Sequence, residues 1–293
     1  NNTIYVVGRT DSLQFIGINS KELVPGNNNT NGFIVSFSLP SLELNNSQLF
    51  GGNSEDVIND IFPFEDCLYI VGTTCSTNLP GCNKKNSEST SAFVSCFTAS
   101  EEISWTKFHP LYFATFGNSI YIDLNGKVII CGYTNYMGSK ETPFTYMHPP
   151  ELITPSKIGF ISLFENDGTL ISSTGYSDCV LQDVIKCDDS IFTTGMAWGD
   201  FYVGDDKVNI KKRHSYTSLI QLSMGGTHKK SIVFGGTEIL RETGFSLEWN
   251  QMNNSLYIVG QAFCSDFPLT NNAFQKTQAD ELNAFLVEYD LSQ

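Results

Sequence analysis

The chain has 293 residues, room for one large β domain or two ordinary ones, and carries a net charge of −14, with 17 Lys plus Arg against 31 Asp plus Glu. So acidic a chain repels phosphate backbones and anionic lipid, which argues against nucleic acid and membrane surfaces as partners. Apolar residues make up 41% and aromatics 13%, with 22 Phe and 12 Tyr; such side chains suit half-buried pleated surfaces, and no apolar run approaches the ~18 residues that cross a bilayer.

No signal peptide is present in the sequence, which begins at Asn1, and the chain is expected to be a processed product or a piece of something longer. Along it, one pattern recurs. An apolar run closed by Gly appears as Ile4-Tyr-Val-Val-Gly8, Leu68-Tyr-Ile-Val-Gly72, Val128-Ile-Ile-Cys-Gly132, Ile191-Phe-Thr-Thr-Gly195 and Leu256-Tyr-Ile-Val-Gly260. The spacings are 64, 60, 63 and 65. A second apolar run follows each: Gly32 to Phe37, Ala92 to Phe97, Gly159 to Phe164, Ser218 to Leu222 and Ala284 to Tyr289. Five units therefore tile residues 1–293 as one domain. A steady period of about 60 with short strands inside it signals radial β repetition.

Each unit reads as four strands, a to d. In unit four, strand a is Leu181 to Lys186, b is Ile191 to Ala197, c is Tyr216 to Leu222 and d is Lys230 to Phe234. Leu124-Asn-Gly-Lys127 and Glu165-Asn-Asp-Gly168 supply the positive φ of tight hairpins, so a–b and c–d are hairpins, whereas b–c connections are long. Helical periodicity is nearly absent, apart from one short turn expected around Asn271 to Gln275. Units two to five have a strand ahead of b, and units one to four have d after c, giving 18 strands where five full blades need 20. In a closed ring both gaps fall at one seam. Three readings stand: flanking chain completes the blades, the end blades keep three strands, or a neighbouring copy donates strands by β-augmentation.

Unit five resembles the SBBP repeat, a β-propeller repeat, through Tyr257 to Gly260, Ser265 to Pro268 (the Ser-x-Asp-Phe-Pro element), Ala273 to Gln275 and Asn283 to Tyr289. The repeat's Gly-Gly-x-x-x-Asp segment is similar to Phe50-Gly-Gly-Asn-Ser-Glu-Asp56 and Phe234-Gly-Gly236. The match is close in unit five, fair in one and two, and loose over Gly117 to Gly236. The resemblance implies a propeller. It implies seven blades, against five copies in this chain, and it transfers no catalytic motif.

Four N-x-Ser/Thr sequons, at Asn1, Asn28, Asn45 and Asn253, and an even eight cysteines point to an oxidising, secretory compartment and an extracellular or cell-surface location. Asn1 and Asn253 fall in a–b turns and Asn45 in a c–d turn, on one face of the disc; Asn28 lies on the b–c face. Three cysteine pairs are disulfide candidates: Cys75 with Cys82 within one b–c loop, Cys179 with Cys187 around the strand entering unit four, and Cys67 with Cys96 on adjacent strands. The alternative is ordinary buried thiols. Zinc at Cys75 and Cys82 lacks both CxxC spacing and a nearby His.

His109, His148, His214 and His228 are scattered over different strands and loops, and no nucleophile elbow, zinc-protease or phosphate-loop motif occurs. Glu101-Glu102, Asp188-Asp189 and Asp205-Asp206 read as solvated turns, and Asn166-Asp167-Gly168 lacks the spaced oxygens of a calcium loop. The basic Lys211-Lys-Arg-His214 and Lys229-Lys230 flank strand c at opposite ends and make no single patch. Trp198, Phe201 and Tyr202 in the long b–c loop of unit four form a candidate binding rim. The expectation is a non-catalytic, N-glycosylated structural or interaction propeller without cofactor or metal. It would act as a segment of a surface protein or as a filament subunit. A lectin-like propeller, with 9–31, 133–157 and 197–215 as its rim, is the first alternative. A hydrolase or lyase propeller is the second.

Overall fold

The computed structural model describes residues 2–12, 30–82, 90–98, 102–110, 114–135, 144–148, 157–203, 206–209, 214–237, 241–271, 273–275 and 282–292. Among them are 21 strands and no helix. The first sheet is β1 (Thr3–Thr10), β2 (Asn31–Ser38) and β3 (Leu44–Phe50), in that order. The second is β4 (Asp56–Phe64), β5 (Cys67–Thr74), β6 (Ser91–Phe97) and β7 (Ile103–Phe108). The third contains β8 (Thr115–Ile122), β9 (Val128–Asn135), β10 (Tyr146–His148), β11 (Lys157–Phe164) and β12 (Leu170–Ser177), ordered β10-β12-β11-β9-β8. The fourth is β13 (Cys179–Cys187), β14 (Ser190–Ala197), then, past the separate hairpin β15 (Asp200–Val203) and β16 (Asp206–Asn209), β17 (Tyr216–Ser223) and β18 (His228–Phe234). The fifth is β19 (Thr243–Asn250), β20 (Ser255–Ala262) and β21 (Asn283–Asp290).

The 18 strands expected from the repeat are all present, and consecutive a, b, c and d strands follow one another across each sheet. Among the described residues the fold is all-β, in five sheets of three to five strands and the two-stranded β15–β16 hairpin. Three elements were not foreseen. The long loop of repeat three returns as β10, which pairs in parallel with the outer strand β12. The loop of repeat four folds back on itself as β15 and β16. The loop of repeat one, with Asn28, lies largely outside the described residues, as do Asn1, Glu101, Asp205 and Lys211 to Arg213. Near Asn271, a single turn forms in which the Ala273 N–H donates to the Thr270 carbonyl at 3.0 Å.

The repeat Gly near the end of β5, β14 and β20 has a packing cause. Strand a carries a bulge between Ile58 and Asp60, Leu181 and Asp183, and Gly244 and Ser246. There the backbone folds over its neighbour. A Cβ at Gly72, Gly195 or Gly260 would sit 2.0, 2.0 or 2.1 Å from the carbonyl of Val57, Val180 or Thr243. The Asn-Gly and Asp-Gly hairpins take the expected form, with φ of +78° at Gly126 and +79° at Gly168.

The chain divides into two compact units, 1–128 with 165–169, and 129–164 with 170–293. In the first, Ile34 and Phe50 of repeat one form a core with Ile58, Leu68, Ile70, Phe93 and Phe97 of repeat two, flanked by Tyr5 and Val7. In the second, Phe160, Ile161, Leu181, Ile191, Leu219 and Ile258 are buried, and β11 packs beside β13 and β13 beside β19.

All eight cysteines are free thiols. One candidate pair was geometrically wrong. Cys179 and Cys187 are the first and last residues of β13, so at about 3.3 Å per residue they stand roughly 26 Å apart, far beyond disulfide reach. Cys75 lies against the Thr90 hydroxyl at 3.5 Å, and Cys82 bridges to Thr106. Cys96 pairs with Tyr69 across β5; burial, and next its neighbour Cys67, push its thiol up to about 12. Without reductant, a thiol reagent should modify at most the half-buried Cys67, Cys75 and Cys82 in the folded chain, and eight thiols after denaturation. Fewer than eight would restore a disulfide to the molecule.

Candidate functional site

The motif fragments that are separate in sequence meet at the joints between repeats. Asp56 opens β4 and is fully buried. Its Oδ2 accepts the Gly52 N–H at 2.7 Å and the Ser76 hydroxyl at 2.8 Å, and its Oδ1 accepts the Thr74 hydroxyl. The Ser76 hydroxyl oxygen accepts the Ser54 N–H at 2.8 Å, and the Asn78 Oδ1 accepts the Asn53 N–H at 2.8 Å. The end of repeat one is thus tied to the loop leaving β5 in repeat two.

The same joint is built again before repeat five. Gly236 donates its N–H to both oxygens of buried Glu242, at 3.0 and 3.1 Å, and the Cys264 thiol donates to Glu242. The Thr237 N–H donates to both Asp266 oxygens at 2.9 Å. Ser76 and Cys264 each lie four residues after the repeat Gly, and Asn78 and Asp266 six after. The approach is too close for a side chain on the second Gly. A Cβ on Gly52 would lie 2.5 Å from Asn78 Oδ1, and one on Gly236 2.1 Å from Asp266 Oδ1. The preceding aromatic completes the joint. Phe50 packs on Phe93 with ring centroids 5.3 Å apart, and Phe234 on Phe285 at 5.9 Å. Leu79 joins the first cluster, and Phe267, at the same repeat position, stacks on Phe285 at 4.8 Å.

A second kind of joint links strand a of one repeat to strand a of the next. Asp60, just past the bulge, accepts the Ile61 N–H at 2.8 Å and the Ile120 N–H at 2.9 Å. Asp183, at the same repeat position, accepts the Val184 and Leu247 N–H groups at 2.8 Å and the Ser246 hydroxyl at 2.7 Å. Backbone contacts add to these joints: the N–H groups of Asp56, Thr115 and Asp178 donate to the carbonyls of Thr30, Thr90 and Lys157 at 2.9, 3.0 and 2.8 Å.

Burial sets the electrostatics of the first joint. Burial raises the Asp56 carboxyl above its ordinary value, partly opposed by the Thr74, Gly52 and Ser76 hydrogen bonds. Burial likewise raises Glu242, against the bonds from Cys264 and Gly236. Burial, then Glu242, push the Cys264 thiol up to about 12, where almost no thiolate exists to act as a nucleophile.

Two of the four histidines are not scattered. His148 lies in register with Tyr176 across the β10–β12 pair. Its ring stacks on Tyr176 at 5.3 Å and stands 5.0 Å from His228, whose Nδ1 is 3.0 Å from the Tyr176 hydroxyl. Burial, with His228 adding to it, lowers His148 to about 4. Fully buried His109 falls to about 3 through burial alone. Register decides this cluster, and no sequence spacing signals it.

The remaining expected sites separate. Trp198 follows β14 and donates its N–H to the Asp178 carbonyl at 2.9 Å, while Phe201 and Tyr202 lie on β15. Asn45 falls inside β3 rather than in the preceding turn; its side chain is exposed and its Oδ1 accepts the Ser38 hydroxyl at 2.5 Å. Asn253 is in a turn, as expected, with its Nδ2 donating to Tyr257 at 2.8 Å and to Glu288 at 3.1 Å. Lys229 donates to Ser190 at 3.0 Å, and Lys230 to Tyr289 at 3.1 Å. Asp188, in the a–b turn of repeat four, adopts a φ of 47° and is exposed. No protein-family model matches this chain, and no curated protein matches it.

Proposed function

We propose that the chain is a non-catalytic, extracellular structural and interaction module whose five sheets are blades of a β-propeller. The recurring joint carries this reading. Phe-Gly-Gly, a buried carboxylate and a Ser or Cys from the next repeat meet in the same way before repeats two and five. Asp60 and Asp183, each just past a bulge, add a second link between consecutive a strands. Joints repeated with one geometry add a constant rotation per repeat, which is how blades are arrayed about an axis. The chemistry is spent on holding sheets together: Asp56 and Glu242 face donors from their own chain, and burial holds the Cys96, Cys179, Cys187 and Cys264 thiols protonated.

Glycans on exposed turn and strand-end positions such as Asn253 and Asn45 fit the same role, since they cover turns and leave sheet faces free. Electron microscopy of single particles should show a disc with a central depression. An extended row of sheets without curvature would sink the propeller. The same preparation, treated with an N-glycosidase, should shift in mobility; no shift would remove the secretory assignment.

A further inference from the structure

In the third sheet β10 is an addition to the repeat. The other repeat sheets end on strand c or d, whereas here the edge of β12 carries one further strand, in parallel. Its hold on β12 comes from four neighbouring residues. The Thr145 N–H donates to the Ser173 carbonyl at 2.7 Å, and the Thr145 hydroxyl oxygen accepts the Ser173 N–H at 3.1 Å. Phe144 and Met147 close over Gly175, where a Cβ would come within 2.8 Å of each. His148 stacks on the Tyr176 ring. Only three residues pair, against about five or six in an ordinary strand, so this segment belongs to the part of a fold that opens first.

His148 faces Tyr176 of β12 and, 5.0 Å away, His228 of β18. Cys179, which opens β13, faces Tyr176 in turn. β15, packed beside β12 and β18, carries Asp200 and Tyr202, and on β10 itself Tyr146 is exposed. Burial raises Tyr176 well above its ordinary range and pushes the Cys179 thiol up to about 12, so in acid both are neutral. An imidazolium at His148 therefore finds no negative charge in Tyr176 or Cys179, and a protonated His228 repels it. The two rings are not equally anchored. His228 belongs to β18, which pairs along its length with β17, and its Nδ1 lies 3.0 Å from the Tyr176 hydroxyl. His148 belongs to a strand of three residues, so repulsion moves β10.

We infer that β10 is an acid-released strap: with protons on His148 and His228, Phe144 to His148 leaves β12 while β11 and β12 stay paired. The sign follows from the two states of His148. Docked, burial and then His228 lower it to about 4; released, it returns to the ordinary value near 6.5. The released strap binds the proton first, so the released-to-docked ratio rises by up to tenfold per pH unit below about pH 6.5. Because the ring is only half-buried, the slope stays below that limit. Release uncovers the outer edge of β12, a row of backbone N–H and C=O groups open to another extended chain. All of these contacts lie within the second compact unit and hold whether or not the five sheets form a ring.

Hydrogen exchange of the whole chain, followed by mass spectrometry at about pH 7 and about pH 4.5 with rates referred to free peptide, tests this. At neutral pH the segment Phe144 to His148 should exchange more slowly than free peptide. At the lower pH it should reach the free-peptide rate while β11 and β14 remain protected. His148→Phe keeps a flat ring on Tyr176 with no proton to gain, and its strap should stay protected at both pH values. His228→Gln removes the repelling partner and should need a lower pH for release. A wild-type strap protected at both pH values, or at neither, overturns the inference. So does loss of protection in β11 and β14 together with the strap, which is acid unfolding of the sheet. Release in His148→Phe at the same pH as wild type overturns it too. If that variant lacks protection in β11 and β14 at neutral pH it is unfolded, and the decision passes to His228→Gln, where an unchanged release pH overturns the inference.

Discussion

Replacing Asp56 with alanine should cost about 3 kcal/mol, because removing a charged acceptor leaves its buried donors without a partner. Three groups converge on this carboxylate: the Gly52 N–H and the Thr74 and Ser76 hydroxyls. Two effects oppose each other here. Burying a carboxylate is costly in itself, as the raised Asp56 value records, so exchanging the whole network for apolar groups would be nearly neutral. Deleting only the acceptor keeps that cost in another form, since the donors stay buried. The loss is therefore large, and at about 2–4 °C per kcal/mol for a domain of this class the thermal midpoint should fall by roughly 6–12 °C. Asp167→Ala, at an exposed turn, is the control and should stay within about 0.5 kcal/mol. Equal midpoints for the two variants would show that the joint is not a major source of stability. Glu242→Ala should behave like Asp56→Ala, since it strands the Gly236 N–H and the Cys264 thiol.

The second large effect is acid sensitivity between pH 6.5 and 4, and histidines cause it. His109 is held at about 3 and His148 at about 4, below the ordinary value near 6.5. The unfolded chain therefore binds these protons first. Stability from both residues is complete above about pH 6.5 and falls as pH drops toward the folded values, by up to about 1.4 kcal/mol per pH unit for fully buried His109 and by less for half-buried His148. Asp56 and Glu242 have the opposite sign. Their folded values are raised, so protonation favours the folded chain, and they cannot produce an acid transition. Denaturant unfolding measured from pH 7.5 to 4.5 should show a steep decline in wild type and a shallower one in His109→Gln. An unchanged slope in that variant would move the origin of acid lability elsewhere. His148→Gln should act more weakly, because its ring is only half-buried.

Strands and repeats were readable because each repeat solves the same packing problem. At Gly72, Gly195 and Gly260 the carbonyl at the bulge leaves no room for a Cβ, and at Gly8 the Phe33 ring does so, and these glycines mark the period openly. What escaped reading depends on register or on short polar segments. β10 is only three residues, Tyr146 to His148, with no alternation to detect, and it alone brings His148 to Tyr176. Cys179 and Cys187 looked close because strand a was read as starting at Leu181, whereas β13 begins at Cys179 and carries the pair to its two ends. The joint was half visible. Its glycines and Ser-x-Asp-Phe-Pro stretch stood out, but Glu242 did not. It lies six residues after Gly236, where Asp56 lies four after Gly52, so the spacing differs although the carboxylate arrives in the same place.

Each joint is assembled from the end of one repeat and the loop of the next. That division bears on how such a chain can lengthen. A tandem duplication of about one period (~60 residues) carries the tail half of one joint and the head half of another, wherever the cut falls. Once spliced in, the copy regenerates a complete joint at each of its borders without any compensating substitution. Repeat number is then a quantity that genetic slippage can change in single steps while every existing contact survives. The buried carboxylates and paired glycines are the places where a diverging copy must stay faithful.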